Sequence, residues 1–128
     1  MNNQQILYIE DNDDNFRLVE RILNRLGLEV DRATTAVSAL QLVQTRQYNL
    51  VLTDILLPDN SIEEAHSQLL FPLRQLIGPD VPLVALTAHA FQFDEAFLLA
   101  NGCDYFVAKP LHVMEFSALI EQLLAPAA

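Results

Sequence analysis

Short apolar runs of strand length recur along the chain, and each ends on a residue suited to chemistry. Ile6 to Ile9 is followed by Glu10 and Asp11, Asn49 to Thr53 by Asp54, Leu83 to Leu86 by Thr87, and Tyr105 to Ala108 by Lys109. Runs of this kind fit strands buried on both faces, as in a parallel sheet. A parallel sheet gathers all its carboxyl ends on one rim, which would bring three carboxylates, a hydroxyl and one ammonium together. That set of groups points to phosphoryl transfer around a divalent metal.

Between the runs lie longer segments of helical period, giving five βα units. The first helix should bury Phe16, Val19, Leu23 and Leu26, turn Arg17, Glu20, Arg21 and Arg25 outward, and end at Gly27. Leu28 to Asp31 reads as a short second strand. Thr34 or Thr35 can then cap a second helix that faces inward through Ala36, Ala39, Leu40 and Val43. After Asp59 the pattern is irregular. Ser61 and Glu64 have the spacing of a capping box, so a helix should begin near Ile62, and Pro72 should kink or break it. The expected architecture is a doubly wound, five-stranded parallel sheet of order 2-1-3-4-5 with five helices. In that order the first and third strands are neighbours, and Glu10, Asp11 and Asp54 crowd one crevice. Like charges so close repel unless a cation intervenes, and hard oxygen ligands suit Mg²⁺.

Composition narrows the alternatives. With 128 residues and 52% hydrophobic content, one core and a single domain over 1–128 are expected. A net charge of −10 opposes direct binding to nucleic-acid phosphates. Cys103 is the only cysteine, so no disulfide or thiolate cluster is available, and His66, His89 and His112 lie far apart. No run approaches membrane-spanning length and the first residues lack the pattern of a signal peptide, which makes the cytoplasm the expected location.

Four motifs together resemble one family. Ile9-Glu10-Asp11-Asn12, Asp54 with Pro58 four residues on, Leu86-Thr87-Ala88, and Gly102 leading through Asp104 and Phe106 to Lys109-Pro110 are similar to receiver domains of two-component response regulators. The likeness covers nearly the whole chain and implies a flavodoxin-like fold. It implies that Asp54 is the phosphoacceptor, that Asp11, Asp54 and the backbone carbonyl of Leu56 bind Mg²⁺, and that Glu10 acts through metal-bound water. Thr87 and Lys109 would hold the phosphoryl oxygens, and Thr87 with Phe106 would form the switch. A sensor histidine kinase or a histidine phosphotransfer protein would be the donor, and a downstream protein the recipient of the signal. Such a domain is not an enzyme beyond catalysing its own phosphorylation and dephosphorylation. The bond before Pro110 would be cis.

The chain also departs from the family pattern. Ile62 stands where receivers commonly have glycine, and 59–72 is a few residues longer than usual. Leu56, two residues past Asp54, offers no polar handle for an attacking water, so a long-lived phosphoaspartate is expected. In the fourth helix, between His89 and Gly102, Phe93 and Phe97 are four apart and form a stripe rotated away from Leu98. That stripe is expected to be an exposed patch for a partner protein or for self-association as a homodimer.

Two other readings compete. A haloacid-dehalogenase-like phosphatase also joins an aspartyl nucleophile, a hydroxyl, a lysine and Mg²⁺, but it needs a second aspartate where Leu56 stands. A pseudo-receiver, serving only for interaction, would be favoured by loss of a site residue. Glu10, Asp11, Asp54, Thr87 and Lys109 are all present.

Overall fold

The computed structural model describes residues 4–55, 57–59, 66–87 and 102–124, without the side chains of 66, 67 and 87. The strands are β1 (Gln5–Ile9), β2 (Glu29–Ala33), β3 (Leu50–Thr53), β4 (Leu83–Thr87) and β5 (Tyr105–Ala108). They pair in parallel in the order β2-β1-β3-β4-β5, as the alternation of runs and helical segments predicts. The α-helices are α1 (Asp13–Arg25), α2 (Ala36–Thr45), α3 (Phe71–Ile77) and α4 (Val113–Leu124). The helix expected between His89 and Gly102 lies outside the described residues, as do Phe93 and Phe97, so α4 is the helix anticipated as the fifth.

Alternation along the strands divides the core in two. Ile6, Tyr8, Leu50, Leu52, Val84 and Leu86 point toward α1 and α4, where they meet Val19, Leu23, Phe116 and Ile120. Leu7, Ile9, Val51, Leu83 and Ala85 point to the other side and meet Ala39, Val43, Leu70 and Leu73 of the α2 and α3 layer. Both faces of the central strands are therefore dry, which accounts for their unbroken apolar character.

Local chemistry sets the helix ends. Asn12 caps α1 by accepting the Asn15 N–H at 2.9 Å, and Gly27 takes the positive φ of 78° just beyond the helix. Ile22 is buried on α1, whereas Leu26 sits past the helix end and is only partly covered. Of the two candidate caps for α2, Thr35 is used, in a reciprocal box with Ser38. The second strand begins and ends later than Leu28 to Asp31, because it pairs with β1 from Gln5↔Glu29 to Ile9↔Ala33. An edge position lets the polar Asp31 and Arg32 continue the ladder. Before α3, His66–Leu70 forms a π-helical turn that runs directly into Phe71. Pro72 then lies in the first turn of α3, and the expected disturbance takes the form of a change of helical type between Leu70 and Phe71. The Ser61–Glu64 box falls outside the described residues.

At the amino-terminal rim, Arg74 of α3 ties several segments together. Its Nε and Nη2 donate to the Gly102 carbonyl at 3.1 and 2.7 Å, and its Nη1 donates to the carbonyls of Gly78 and Val81, both at 2.8 Å. Nη2 also reaches Asp104 Oδ2 at 2.7 Å, an oxygen that accepts the Leu83 N–H at 2.9 Å. A lysine has no planar fork and cannot replace this set. Arg74→Lys is expected to destabilise the fold by about 3 kcal/mol through carbonyls left without donors. Urea unfolding should show a lower midpoint with an unchanged slope.

Candidate functional site

The sheet register brings the sequence-distant acids together. Ile9 pairs with Thr53, so the next residue on each strand is Glu10 on one and Asp54 on the other. The ladder extends one step past the strands, with Glu10 N–H donating to Ala33 O at 2.8 Å and Asp54 N–H to Ile9 O at 2.9 Å. On the far side, Thr87 pairs with Ala108, which places Lys109 just beyond the rim. Glu10 is 1% and Asp54 7% exposed, whereas Asp11 is open to solvent. One carboxylate oxygen from each of Glu10, Asp11 and Asp54 lies within 4.8 Å of the others.

Lys109 partly offsets this charge. Its Nζ is 2.5 Å from Glu10 Oε1 and 3.6 Å from Asp54 Oδ2, with the side chain 10% exposed. One ammonium against three carboxylates leaves the crevice negative. Hard, anionic oxygens so close and partly open to water are a fitting donor set for a small divalent cation. Thr87 is placed on the rim by its backbone; its side chain and the Leu56 carbonyl lie outside the described parts. Phe106 is half-buried on β5 and packs against the α2 and α3 side of the core. The Lys109-Pro110 bond is cis.

Two further residues, Tyr8 and Arg32, join the crevice, and a third, Asp59, ties loops of the same rim. Tyr8 is fully buried and donates its hydroxyl to Glu10 Oε1 at 2.8 Å. Burial pushes its phenol far above the ordinary value of 10.0, and the Glu10 charge and hydrogen bond add to the rise, so the hydroxyl remains a donor. Arg32, paired with Tyr8 across β1 and β2, donates from Nε to the Glu10 carbonyl at 3.0 Å and reaches Asp13 at 2.9 Å. Asp59 accepts the N–H groups of Ala36 and Val37 at 2.8 and 3.1 Å, binding the segment after β3 to the start of α2. Tyr8 had a readable signal, since a residue two before Glu10 on a strand shares its side.

A parallel sheet with acids and a lysine on its carboxyl rim defines a class of phosphoryl-accepting α/β domains. Comparison with known proteins narrows the class. Residues 6–121 match the response regulator receiver domain family, and the chain belongs to it. It is 30% identical to the polar-differentiation response regulator DivK of Brucella ovis, over 97% of this chain and 98% of DivK. It is 26% identical to probable histidine kinase 1 of Oryza sativa subsp. indica, over 98% of this chain but only 16% of that protein's length. Among solved structures, the receiver domain of sensor histidine kinase PA1611 from Pseudomonas aeruginosa, with a magnesium ion coordinated in its active site cleft, superposes with a TM-score of 0.80. It is 28% identical, with 98% of this chain and 100% of that one covered. A CheY-like receiver domain protein from Methanospirillum hungatei gives 0.84 at 27% identity, over 96% of this chain and 94% of that one.

The crowding of charge has an energetic consequence. Removing one of three like charges should stabilise the metal-free fold, as is common where function places repelling groups together. Asp54→Asn is expected to raise metal-free stability by about 1 kcal/mol, read as a higher Tm in the presence of a chelator.

Proposed function

We propose that residues 1–128 act as one receiver domain that takes a phosphoryl group onto Asp54 in a Mg²⁺-dependent reaction and signals through a protein-binding surface. The observation that carries this reading is the meeting of Asp54 with Glu10, Asp11 and the Lys109 ammonium in one crevice. An Asp54 carboxylate oxygen attacks the phosphorus of a phosphohistidine on a sensor kinase or phosphotransfer protein. The P–N bond breaks and its electron pair stays on the imidazole nitrogen. A carboxylate nucleophile carries no proton that must be removed, so the transfer needs no general base.

Glu10, Asp11, Asp54 and the Leu56 carbonyl would hold the Mg²⁺, which when bound neutralises charge on the phosphoryl oxygens. Lys109, already 3.6 Å from Asp54, supplies the second positive charge. Thr87, next along the rim, is assigned the remaining oxygen. Its movement, with repacking of Phe106, would change the surface formed by β5 and its neighbouring helices. The Phe93 and Phe97 stripe is assigned to contact with the downstream protein or with a second copy. The cytoplasm is the location this reading requires; among the described residues no helix is long and apolar enough to cross a membrane.

Intact mass measured after incubation with acetyl phosphate and Mg²⁺ should show one phosphate adduct on the native chain. The adduct should be absent with a chelator and from Asp54→Asn, and an adduct that survives in the variant would move the acceptor elsewhere. The apolar Leu56 side chain leads to a second expectation, a phosphoaspartate that lasts well beyond seconds at neutral pH. Replacing Leu56 with glutamate or asparagine should shorten that lifetime, followed by the decay of the adduct mass.

A further inference from the structure

We propose that Tyr8 is a positioning residue for the metal-binding crevice: its hydroxyl keeps the Glu10 carboxylate oriented for Mg²⁺, both beside Lys109 and after Lys109 turns to the phosphoryl group on Asp54. This rests on the reading of the site as a Mg²⁺-dependent phosphoacceptor. Glu10 Oε1 accepts two side-chain donors, the Lys109 ammonium and the Tyr8 hydroxyl. Only one of them has a second task. Lys109 lies 3.6 Å from Asp54 Oδ2 and must shift its hydrogen bonds toward Asp54 to hold a phosphoryl oxygen there. Glu10, 1% exposed, would then lose its charge partner in a place where water cannot readily replace it.

Tyr8 is built to remain. Its ring lies 5.7 Å from the Phe16 ring at an interplanar angle of 19°, and the Arg32 guanidinium sits 4.8 Å from the Phe16 centroid. Arg32 also holds the Glu10 carbonyl, so the ring stack and the backbone of the acid form one unit. The other carboxylate oxygen, Oε2, accepts the Asn12 N–H at 3.2 Å. With Tyr8 on one oxygen and Asn12 on the other, the carboxylate plane stays fixed after Lys109 leaves. A residue needed only for packing gains nothing from a hydroxyl here, because burying a hydroxyl costs stability unless it is bonded.

The test compares the native chain with Tyr8→Phe, which keeps the ring and the stack and removes only the hydroxyl. Calorimetric titration with Mg²⁺ should show roughly tenfold weaker binding in the variant, the scale expected when an outer partner of a metal-binding carboxylate is lost. In a Glu10→Gln background the same change should have no further effect on Mg²⁺ binding. Equal affinity of the native chain and a folded Tyr8→Phe would overturn the assignment of Tyr8 and leave the phosphoacceptor reading intact. A native chain that binds no Mg²⁺ would overturn both. If Tyr8→Phe does not fold, the native chain still decides: a slowly exchanging Tyr8 hydroxyl proton should persist by NMR after phosphorylation with acetyl phosphate. Its loss on phosphorylation would count against the proposal.

Discussion

The site depends on the pairing of β1 with β3 in the middle of the sheet. Ile9 opposite Thr53 fixes where Glu10 and Asp54 emerge, and a slip of one residue would carry either side chain to the opposite face of the sheet. The pairing is held by apolar residues buried on both sides, so the energy that keeps two acids adjacent comes from the core rather than from the acids themselves. Rigid strands on both sides of the crevice also mean that the carboxylates cannot retreat from each other by moving backbone. Relief has to come from cations, and Lys109 is the one that β5 supplies.

Lys109 is shared unequally between the two acids. It is close to Glu10 and farther from Asp54, although Asp54 is the residue assigned to the chemistry. The more deeply buried acid, for which an unpaired charge is most expensive, has the nearer partner. Tyr8, Asn12 and Arg32 surround the same acid with donors to its side chain and backbone. These contacts fix the buried Glu10 carboxylate from several sides at once.

Much of this was legible in the chain because strand ends are marked by abrupt changes of polarity. Glu10, Asp54, Thr87 and Lys109 each follow or close an apolar run, and the winding order alone places them on one rim. What depends on register was harder to read. Arg32 belongs to the site because it stands opposite Tyr8, which no local pattern discloses. Asp59 caps a helix that begins 23 residues earlier in the chain, whereas local spacing draws attention to Ser61 and Glu64. Pro72 signals a disturbance, but its form, a wider helical turn that ends on the buried Leu69 and Leu70, is not written in the local pattern. Leu26 followed the periodicity of α1 and yet fell beyond its end, where Gly27 redirects the backbone.

The Arg74 knot has a bearing on where this chain tolerates a change of length. One guanidinium has to reach Gly78, Val81, Gly102 and Asp104 together, so residues added to the loop between α3 and β4 would pull its acceptors out of range. That rim is closed to insertion. On the opposite rim, Asp59 ties the segment after β3 to the start of α2. Added length on that rim would leave the Arg74 knot intact, because none of the acceptors of its guanidinium lies there.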